Sequence, residues 1–144
     1  MDPDPIDELE SELVDMWRRG GVSARARATA VDPKLDAACY PLLMLLTRRA
    51  DAVPMATLIE VLGVGKSTLS RQVDAVTRLG LARRISDPSD ARARLVELTP
   101  EGRVRLVAHR DEHIAVWRRK LARWDPDDLR ALSALLRRLG DEVG

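Results

Sequence analysis

A mainly α fold with a small β-hairpin is predicted by three features of this 144-residue sequence. Apolar residues recur at helical spacing over most of the chain, and Asp-Pro or Thr-Pro pairs stand where several helices would begin. Only one region reads as two short strands, LARRIS and RLVEL, joined by the turn-forming segment Asp87 to Asp90. We expect residues 1–144 to form a single domain.

Two helical patterns precede the hairpin without a break. Residues 55–62 carry an apolar stripe, and Gly63 to Gly65 supply a tight turn. In the second pattern, GKSTLSRQVDAV, Leu69, Val73 and Val76 fall at i, i+4 and i+7 and so share one buried face. Gly80 is expected to end this helix. Helix, turn, helix and hairpin in this order predict a winged helix-turn-helix.

The opposite face of the second helix is polar and partly cationic. At roughly 100° per residue, the positions away from the buried stripe are Ser67, Thr68, Arg71, Gln72, Asp74 and Arg78. Arginine and glutamine can read base edges in the major groove, and the N–H groups at a helix start can bind phosphate. The alternative for this helix alone is an ordinary solvated surface.

The loop between the two strands is the wing of the predicted core, residues 50–99. Arg92 and Arg94 lie on its returning side, where a guanidinium can enter a narrow minor groove. Asp90 is close enough in sequence to hold Arg92 in place. The alternative for this pair is a surface ion pair worth about 0–1 kcal/mol.

The run LIEVLGVGKSTLSRQVDAVTRLGLARRISDPSDARARLVELTPEGR resembles the DNA-binding core of the MarR family of bacterial transcriptional regulators. The segments LDAACYPLLMLL and LTPEG extend the likeness over most of residues 35–124. The resemblance implies a homodimer with one recognition helix in the major groove of each half-site, wing arginines in the minor groove, and repression that responds to a ligand. Carried over, the contact positions are Ser67, Thr68, Ser70, Arg71 and Gln72 on the helix and Asp90, Arg92 and Arg94 on the wing. Lys66 and Arg78 of the same helix complete the predicted DNA-binding set.

Two positions depart from the family pattern. Gly65 stands where such proteins often carry a Ser N-cap, and Gly is tolerated there at a small cost. Ala91 stands where many relatives carry a basic residue, which weakens the expected wing contact.

Further helices are expected on both sides of the core. Asp4 and Pro5 begin the first, which carries an apolar face until Gly20 and Gly21 break or bend it. A second spans about residues 35–49, and Pro41 would kink it unless the helix starts later.

Two more helices follow the wing, one opening at Thr99-Pro100 and one at Asp125-Pro126. The last has a broad apolar face formed by Leu129, Leu132, Leu135, Leu136, Leu139 and Val143.

These flanking helices carry more apolar surface than one small core requires. We therefore expect residues 1–34 and 100–144 to be dimerisation helices of a homodimer. A two-fold dimer predicts a pseudo-palindromic operator with half-sites about one helical turn apart. The alternative is that these helices fold back to complete a monomeric core.

The charge distribution agrees with a DNA-binding protein although the net charge is only +1. Residues 1–16 hold seven acidic and no basic side chains, whereas residues 63–105 hold nine basic and five acidic ones. No apolar run approaches 18 residues and the amino terminus is acidic, so we expect a cytoplasmic protein without a membrane span. One cysteine is consistent with a reducing compartment.

An unknown small-molecule effector is expected, and no cofactor. In the family, ligands commonly bind between the dimerisation helices and the DNA-binding core. The residues available to line such a pocket are Trp17, Tyr40, Met44 and Trp117. Each of them also has an ordinary explanation as a core residue.

Two other sensing chemistries remain as alternatives. Cys39 invites a redox interpretation, but its position before an apolar run favours a small buried hydrophobe. His109 and His113, at i and i+4, have a spacing that can chelate zinc from one helical face, but further ligands are needed.

Enzymatic activity is not expected. GVGKST resembles the end of a P-loop, but the first glycine of that motif would fall on Glu60, and a helix precedes it instead of a strand. The competing non-enzymatic function is a protein-interaction module that uses the same scaffold without DNA. Arg71, Arg92 and Arg94 argue against it, because a protein-binding wing has no need of them.

Overall fold

The computed structural model describes residues 2–144, leaving aside the side chains of residues 21 and 22. The elements, in chain order, are α1 (Pro5–Val31), a 3₁₀ turn (Ala37–Cys39), α2 (Tyr40–Thr47), β1 (Val53–Pro54), α3 (Met55–Leu62), α4 (Lys66–Arg78), β2 (Ala82–Asp87), β3 (Asp90–Leu98), α5 (Pro100–Lys120) and α6 (Pro126–Val143). The predicted fold class, a mainly helical chain with a small winged sheet, is confirmed.

Two compact units divide the chain, the first ending at His109 and the second running from Arg110 to Gly144. The first unit contains the hydrophobic core, whose largest fully buried side chains are Leu42, Leu43, Leu46, Leu58, Leu69, Leu81, Leu106, Val73, Val76 and Val96. In the second unit no residue is buried. Across the described part of the chain, every helix is too short or too polar to cross a bilayer.

Helix α1 begins as predicted. The Asp4 carboxylate accepts a hydrogen bond from the Ile6 amide at 2.9 Å, and Pro5 occupies the first turn. The helix then continues through Gly20 and Gly21 to Val31, so this pair does not break it. Each glycine lowers helix stability by about 1 kcal/mol, but unlike proline it keeps the N–H that the helix needs.

The second predicted helix is shorter than expected. Asp36 caps a 3₁₀ turn by accepting a hydrogen bond from the Ala38 amide at 2.8 Å, and α2 starts only at Tyr40. This places Pro41 in the first turn of α2, where a missing N–H costs nothing. Of the two alternatives for Pro41, the later helix start is the correct one.

The turn between α3 and α4, and the end of α4, depend on two glycines. Gly63 has φ 63° at the end of α3, and Gly80 has φ 73° just beyond the last residue of α4. At the latter, the Leu81 amide donates to the Val76 carbonyl and the Gly80 amide to the Thr77 carbonyl, both at 3.0 Å. This pair of bonds is a Schellman motif, so the predicted role of Gly80 as a helix stop is confirmed.

The sheet has three antiparallel strands in the order β1-β3-β2, not the two that the sequence predicts. The additional strand is only two residues long and pairs Val53 with Val96. Strand β3 begins at Asp90, four residues before the predicted RLVEL, so the turn at the wing tip contains only Pro88 and Ser89. This wing is therefore a tight hairpin.

Thr99 connects the start of α5 to the end of α4. Its hydroxyl donates to the Gly80 carbonyl at 2.6 Å and accepts from the Gly102 amide at 3.0 Å, while its own amide donates to the Leu81 carbonyl at 3.0 Å. Helix α5 therefore begins at Thr99-Pro100 as predicted. The start of α6 is also confirmed, because Asp125 accepts from the Asp127 amide at 2.8 Å and Pro126 follows it.

Candidate nucleic-acid interface

Helix α4 packs on the core through the predicted stripe. Leu69, Val73 and Val76 are each 0% exposed. On the far side, Lys66, Ser67, Thr68, Arg71 and Arg78 are exposed, whereas Gln72 is half-buried. The N-cap residue is Gly65, which offers no side-chain acceptor, so the N–H groups of the first turn remain available to water or phosphate.

Ser70 and Asp74, one turn apart on α4, face the wing strand β2. The Arg84 guanidinium donates to the Asp74 carboxylate, and also to the Ser70 carbonyl at 3.0 Å and hydroxyl at 3.3 Å. The helical pattern places Asp74 on the outward face, but here its carboxylate binds the neighbouring strand. Ser70 is half-buried for the same reason.

The inner face of the hairpin continues from the core to the exposed wing. Along β3, Leu98 and Val96 are buried, and Arg94, two residues farther toward the tip, is exposed. A strand alternates its side chains between faces, so Arg94 and Arg92 lie on the same side of the sheet as the buried positions. This is the side that α4 occupies.

Hydrogen bonds within the wing hold its tip in shape. The Asp87 carboxylate accepts from the Ser89 hydroxyl at 2.7 Å and amide at 2.9 Å, and these bonds lower the pKa of the Asp87 carboxyl. The Asp90 carboxylate accepts from the backbone amide of Arg92 at 3.0 Å. Asp90 thus binds the backbone of Arg92 and not its guanidinium. Arg94 donates to the Ser86 hydroxyl at 3.1 Å.

One cleft of about 530 Å³ brings helix and wing residues together. Its cationic and polar lining consists of Lys66, Ser70, Arg84, Arg92 and Arg94, and its apolar floor includes Pro54, Met55, Ile59 and Ala93. Arg78 lies apart from this cleft, beside Lys34, Ala75 and Leu79 in a smaller depression. The start of α4 and the wing therefore form one continuous positive surface.

The predicted ligand-binding residues lie on three helices, α1, α2 and α5. Tyr40 and Met44 lie one turn apart on α2 and are half-buried, whereas Trp17 on α1 is 66% exposed. Trp117 belongs to the second unit, is 46% exposed and donates its indole N–H to His113 Nε2 at 3.0 Å.

Tyr40 belongs to a half-buried polar cluster that the sequence did not reveal. Its hydroxyl lies 2.8 Å from His109 Nε2, and the Arg27 guanidinium carbon lies 5.6 Å from the centre of its ring. The Nε atom of Arg27 is buried without a hydrogen-bond partner. Burial raises the pKa of the Tyr40 hydroxyl despite the opposing charge of Arg27.

The residues named for redox and zinc sensing have other surroundings. Cys39 is 3% exposed, and burial, together with the charge of Asp36, raises the pKa of its thiol. This disfavours the thiolate on which peroxide sensing depends. The His109 and His113 imidazoles contact Tyr40 and Trp117 respectively, and the described residues contain no group of three or more His, Cys, Asp or Glu side chains placed to hold a metal ion.

Comparison with known proteins shows which family this chain resembles. The MarR family model matches residues 34–93, which extend from the end of α1 to the wing. The HTH-type transcriptional regulator YxaD of Bacillus subtilis (strain 168) is 29% identical over 135 residues, covering 94% of this chain and 92% of YxaD. The central segment of this chain therefore resembles the MarR family, and the chain as a whole resembles a transcriptional regulator.

Solved structures of transcriptional regulators share this fold. The PcaV transcriptional regulator from Streptomyces coelicolor, solved in complex with its natural ligand, is 25% identical, with a TM-score of 0.70 and full coverage of both chains. A MarR transcriptional regulator from Methanosarcina mazei Go1 has a TM-score of 0.76 at 20% identity, over 94% of this chain and 96% of that one. The second likeness concerns the fold alone.

Arg84 is the interface residue that the sequence prediction omitted. The alternation in ARRIS did carry a signal, because an inward-facing Ala82 makes Arg84 inward-facing as well. Ser70 and Asp74 stand at i and i+4 on the preceding helix, a spacing that presents two acceptors to one cation. Arg27 and His109 carried no comparable signal, because only the tertiary fold brings them to Tyr40.

Proposed function

We propose that this protein is a MarR-type transcriptional regulator that binds a pseudo-palindromic operator as a homodimer, and that it is a repressor which a small-molecule effector releases from DNA. Helix α4 reads the major groove through Ser67, Thr68, Arg71 and Gln72. The wing places Arg92 in the adjacent minor groove. Because its target is chromosomal DNA, the protein acts in the cytoplasm.

The observation that carries this proposal is the shared cleft of α4 and the wing. Lys66 at the start of the helix and Arg92 and Arg94 on the wing line the same concave surface. Phosphate contacts position a protein on DNA, and exposed side chains on a helix read the bases. In this division of roles, the cations of the cleft contact phosphate groups. The exposed side chains of α4 beside the cleft contact the bases.

The dimer proposal is supported by the apolar face of α6. None of its residues is buried, and Leu132, Leu135, Leu136 and Val143 are 43–76% exposed. An exposed apolar stripe of this length marks an interaction surface. A second copy of the chain would cover it and would supply the second recognition helix that a two-fold operator requires.

The effector proposal is supported by the Tyr40 cluster and by a relative. PcaV was solved in complex with its natural ligand, so a protein with this fold binds a ligand. In this chain, the half-buried Tyr40, Arg27 and His109 offer polar groups inside an apolar surrounding, as ligand sites do.

The test is fluorescence anisotropy of the protein on the DNA upstream of its own gene and on a scrambled duplex, titrated with salt. We expect selective binding with a Kd of about 10⁻⁸ M or lower. Arg71→Ala should reduce the preference for the first duplex by about tenfold, since a bidentate base contact discriminates by about 1–3 kcal/mol. Arg92→Ala should lower affinity mainly at narrow-groove positions.

The matched control is Arg118→Ala, which removes an exposed cation from the last turn of α5. It should leave the preference unchanged. Equal weak binding to both duplexes with a steep salt dependence would indicate non-specific phosphate contact. If DNA selected from a random pool gave the same result, the protein-interaction function would replace this proposal.

A further inference from the structure

Arg84 differs from the other cations of the cleft in how its donors are used. Its side chain is 31% exposed, and it binds Asp74 and both oxygens of Ser70, all on α4. Arg92 and Lys66 are exposed, and Arg94 donates a hydrogen bond to Ser86 of its own hairpin. Arg84 is thus the cation that joins the wing to the recognition helix.

The acceptors of Arg84 fix both the distance and the rotation of α4. Ser70 and Asp74 are successive positions on one stripe of the helix, one turn apart. A guanidinium is a rigid planar fork, so it satisfies a carboxylate and a backbone carbonyl together only when the helix lies in one orientation. A slide or rotation of α4 against β2 would break at least one of these bonds.

The strand that carries Arg84 also carries the wing. Arg84 pairs with Val96, and two residues nearer the tip Ser86 pairs with Arg94. The same short hairpin therefore joins the Arg84 contacts to the wing arginines. Wing and recognition helix are held at a set spacing, and this spacing must match the spacing of the minor and major grooves.

We propose that Arg84 is a positioning residue that sets the orientation of the recognition helix relative to the wing and thereby determines operator selectivity. This inference rests on the proposed function. Arg84 acts through Ser70 and Asp74 and contacts neither base nor phosphate. Its loss therefore lowers discrimination between sequences more than it lowers non-specific affinity.

Arg83 provides a matched control on the same strand. It lies on the opposite face, where it is exposed and pairs with Glu97 of β3 at 2.8 Å. Arg83→Gln and Arg84→Gln each remove one positive charge and one ion pair from β2. Only Arg84→Gln loosens α4.

The first readout is the ratio of affinities for the operator and a scrambled duplex, measured by anisotropy over a range of salt concentrations. We expect Arg84→Gln to reduce this ratio about tenfold with the salt slope unchanged, and Arg83→Gln to leave the ratio unchanged. Arg84→Lys retains a charge for Asp74 but lacks the planar fork, so its affinity ratio should lie between those of wild type and Arg84→Gln.

Equal effects of Arg83→Gln and Arg84→Gln on the affinity ratio would overturn the proposal. A uniform affinity loss with the slope reduced by about one would also overturn it, because it would show a direct phosphate contact.

The second readout needs no DNA and separates this inference from the proposed function. Amide hydrogen exchange of α4 in the full-length protein should be faster in Arg84→Gln than in Arg83→Gln, while exchange in α5 stays unchanged. If the wild type discriminates no sequence, the proposed function fails, and this readout still decides whether Arg84 holds α4. If Arg84→Gln does not fold, Asp74→Asn is used instead. This variant removes the ion pair, but asparagine has nearly the shape of aspartate and Arg84 is unchanged. Unchanged exchange in α4 would contradict the proposal.

Discussion

The Asp32 carboxylate links the free energy of unfolding to pH. It accepts hydrogen bonds from the Lys34 amide at 2.8 Å and from the Arg105 guanidinium at 3.3 Å. These bonds, that of the Lys34 amide foremost, lower the pKa of the Asp32 carboxyl below its ordinary 3.8. A pKa lowered on folding stabilises the native state above the unfolded pKa, and this stabilisation is lost as the pH falls through the folded pKa.

We therefore expect Asp32→Asn to reduce the free energy of unfolding at pH 7 and to reduce its decline below about pH 4, relative to wild type. Denaturant unfolding at a series of pH values measures both quantities. Asp51→Asn, which changes an exposed carboxylate, is the control and should leave the wild-type profile intact. Parallel profiles for wild type and Asp32→Asn would show that Asp32 is not the titrating group.

The residues of α4 illustrate which parts of the site are predictable. The buried stripe of Leu69, Val73 and Val76 follows from local periodicity, because core and solvent lie on fixed sides of a helix. Asp74 follows the same period, but a cation from another element captures its carboxylate. Pairing between elements depends on tertiary distances, which the periodicity of one element does not contain.

At the scale of single elements, the start of α5 depends on a close approach that only glycine permits. A Cβ at Gly102 would lie 2.0 Å from the Leu81 carbonyl oxygen and 2.7 Å from its carbonyl carbon. Both neighbours are backbone atoms, so they cannot rotate away. We expect Gly102→Ala to lower the free energy of unfolding by about 1–3 kcal/mol, as overpacking does.

Gly140 in α6 is the matched control, because apart from its chain neighbours and the backbone of its own helix no described atom lies within 4 Å of its ideal Cβ. Gly140→Ala should raise the free energy of unfolding by about 0.5–1 kcal/mol through helix propensity. Chemical denaturation of the two variants and wild type measures the contrast. A neutral Gly102→Ala would mean that α5 shifts easily away from Leu81 and that Thr99 does not hold it.

Local sequence signals predicted helix starts better than helix ends. Asp4, Thr99 and Asp125 each bond a backbone amide in the first turn, so their capping chemistry is local and readable. Strand β1 has only two residues and forms because β3 lies beside it. The prediction that the glycine pair breaks or bends α1 relied on propensity alone. The length of a helix depends on its packing as well as on propensity.

At the scale of the whole molecule, the homodimer proposal depends on the exposed apolar face of α6. Leu135 is 55% exposed near the middle of this face. In light scattering, we expect wild type to have twice the 16.0 kDa mass of one chain. Leu135→Asp should lower the measured mass toward that of a single chain. The variant should also lose most of its operator affinity, because a single recognition helix reads only one half-site.

Val61→Asp is the control for that shift. Val61 is similarly exposed, at 56%, but lies on α3 of the winged helix-turn-helix. It should leave the mass at two chains. If wild type has the mass of one chain up to high micromolar concentration, the homodimer proposal is wrong.

The most direct measurement of sequence-specific binding by a two-fold dimer is selection of duplexes from a random pool, followed by sequencing. We expect enrichment of two inverted half-sites with centres about one helical turn apart. The same selection with Arg71→Ala should relax the preference at one or two positions of each half-site. A pool that stays unenriched with wild-type protein, or that converges on a single unrepeated site, would contradict the account.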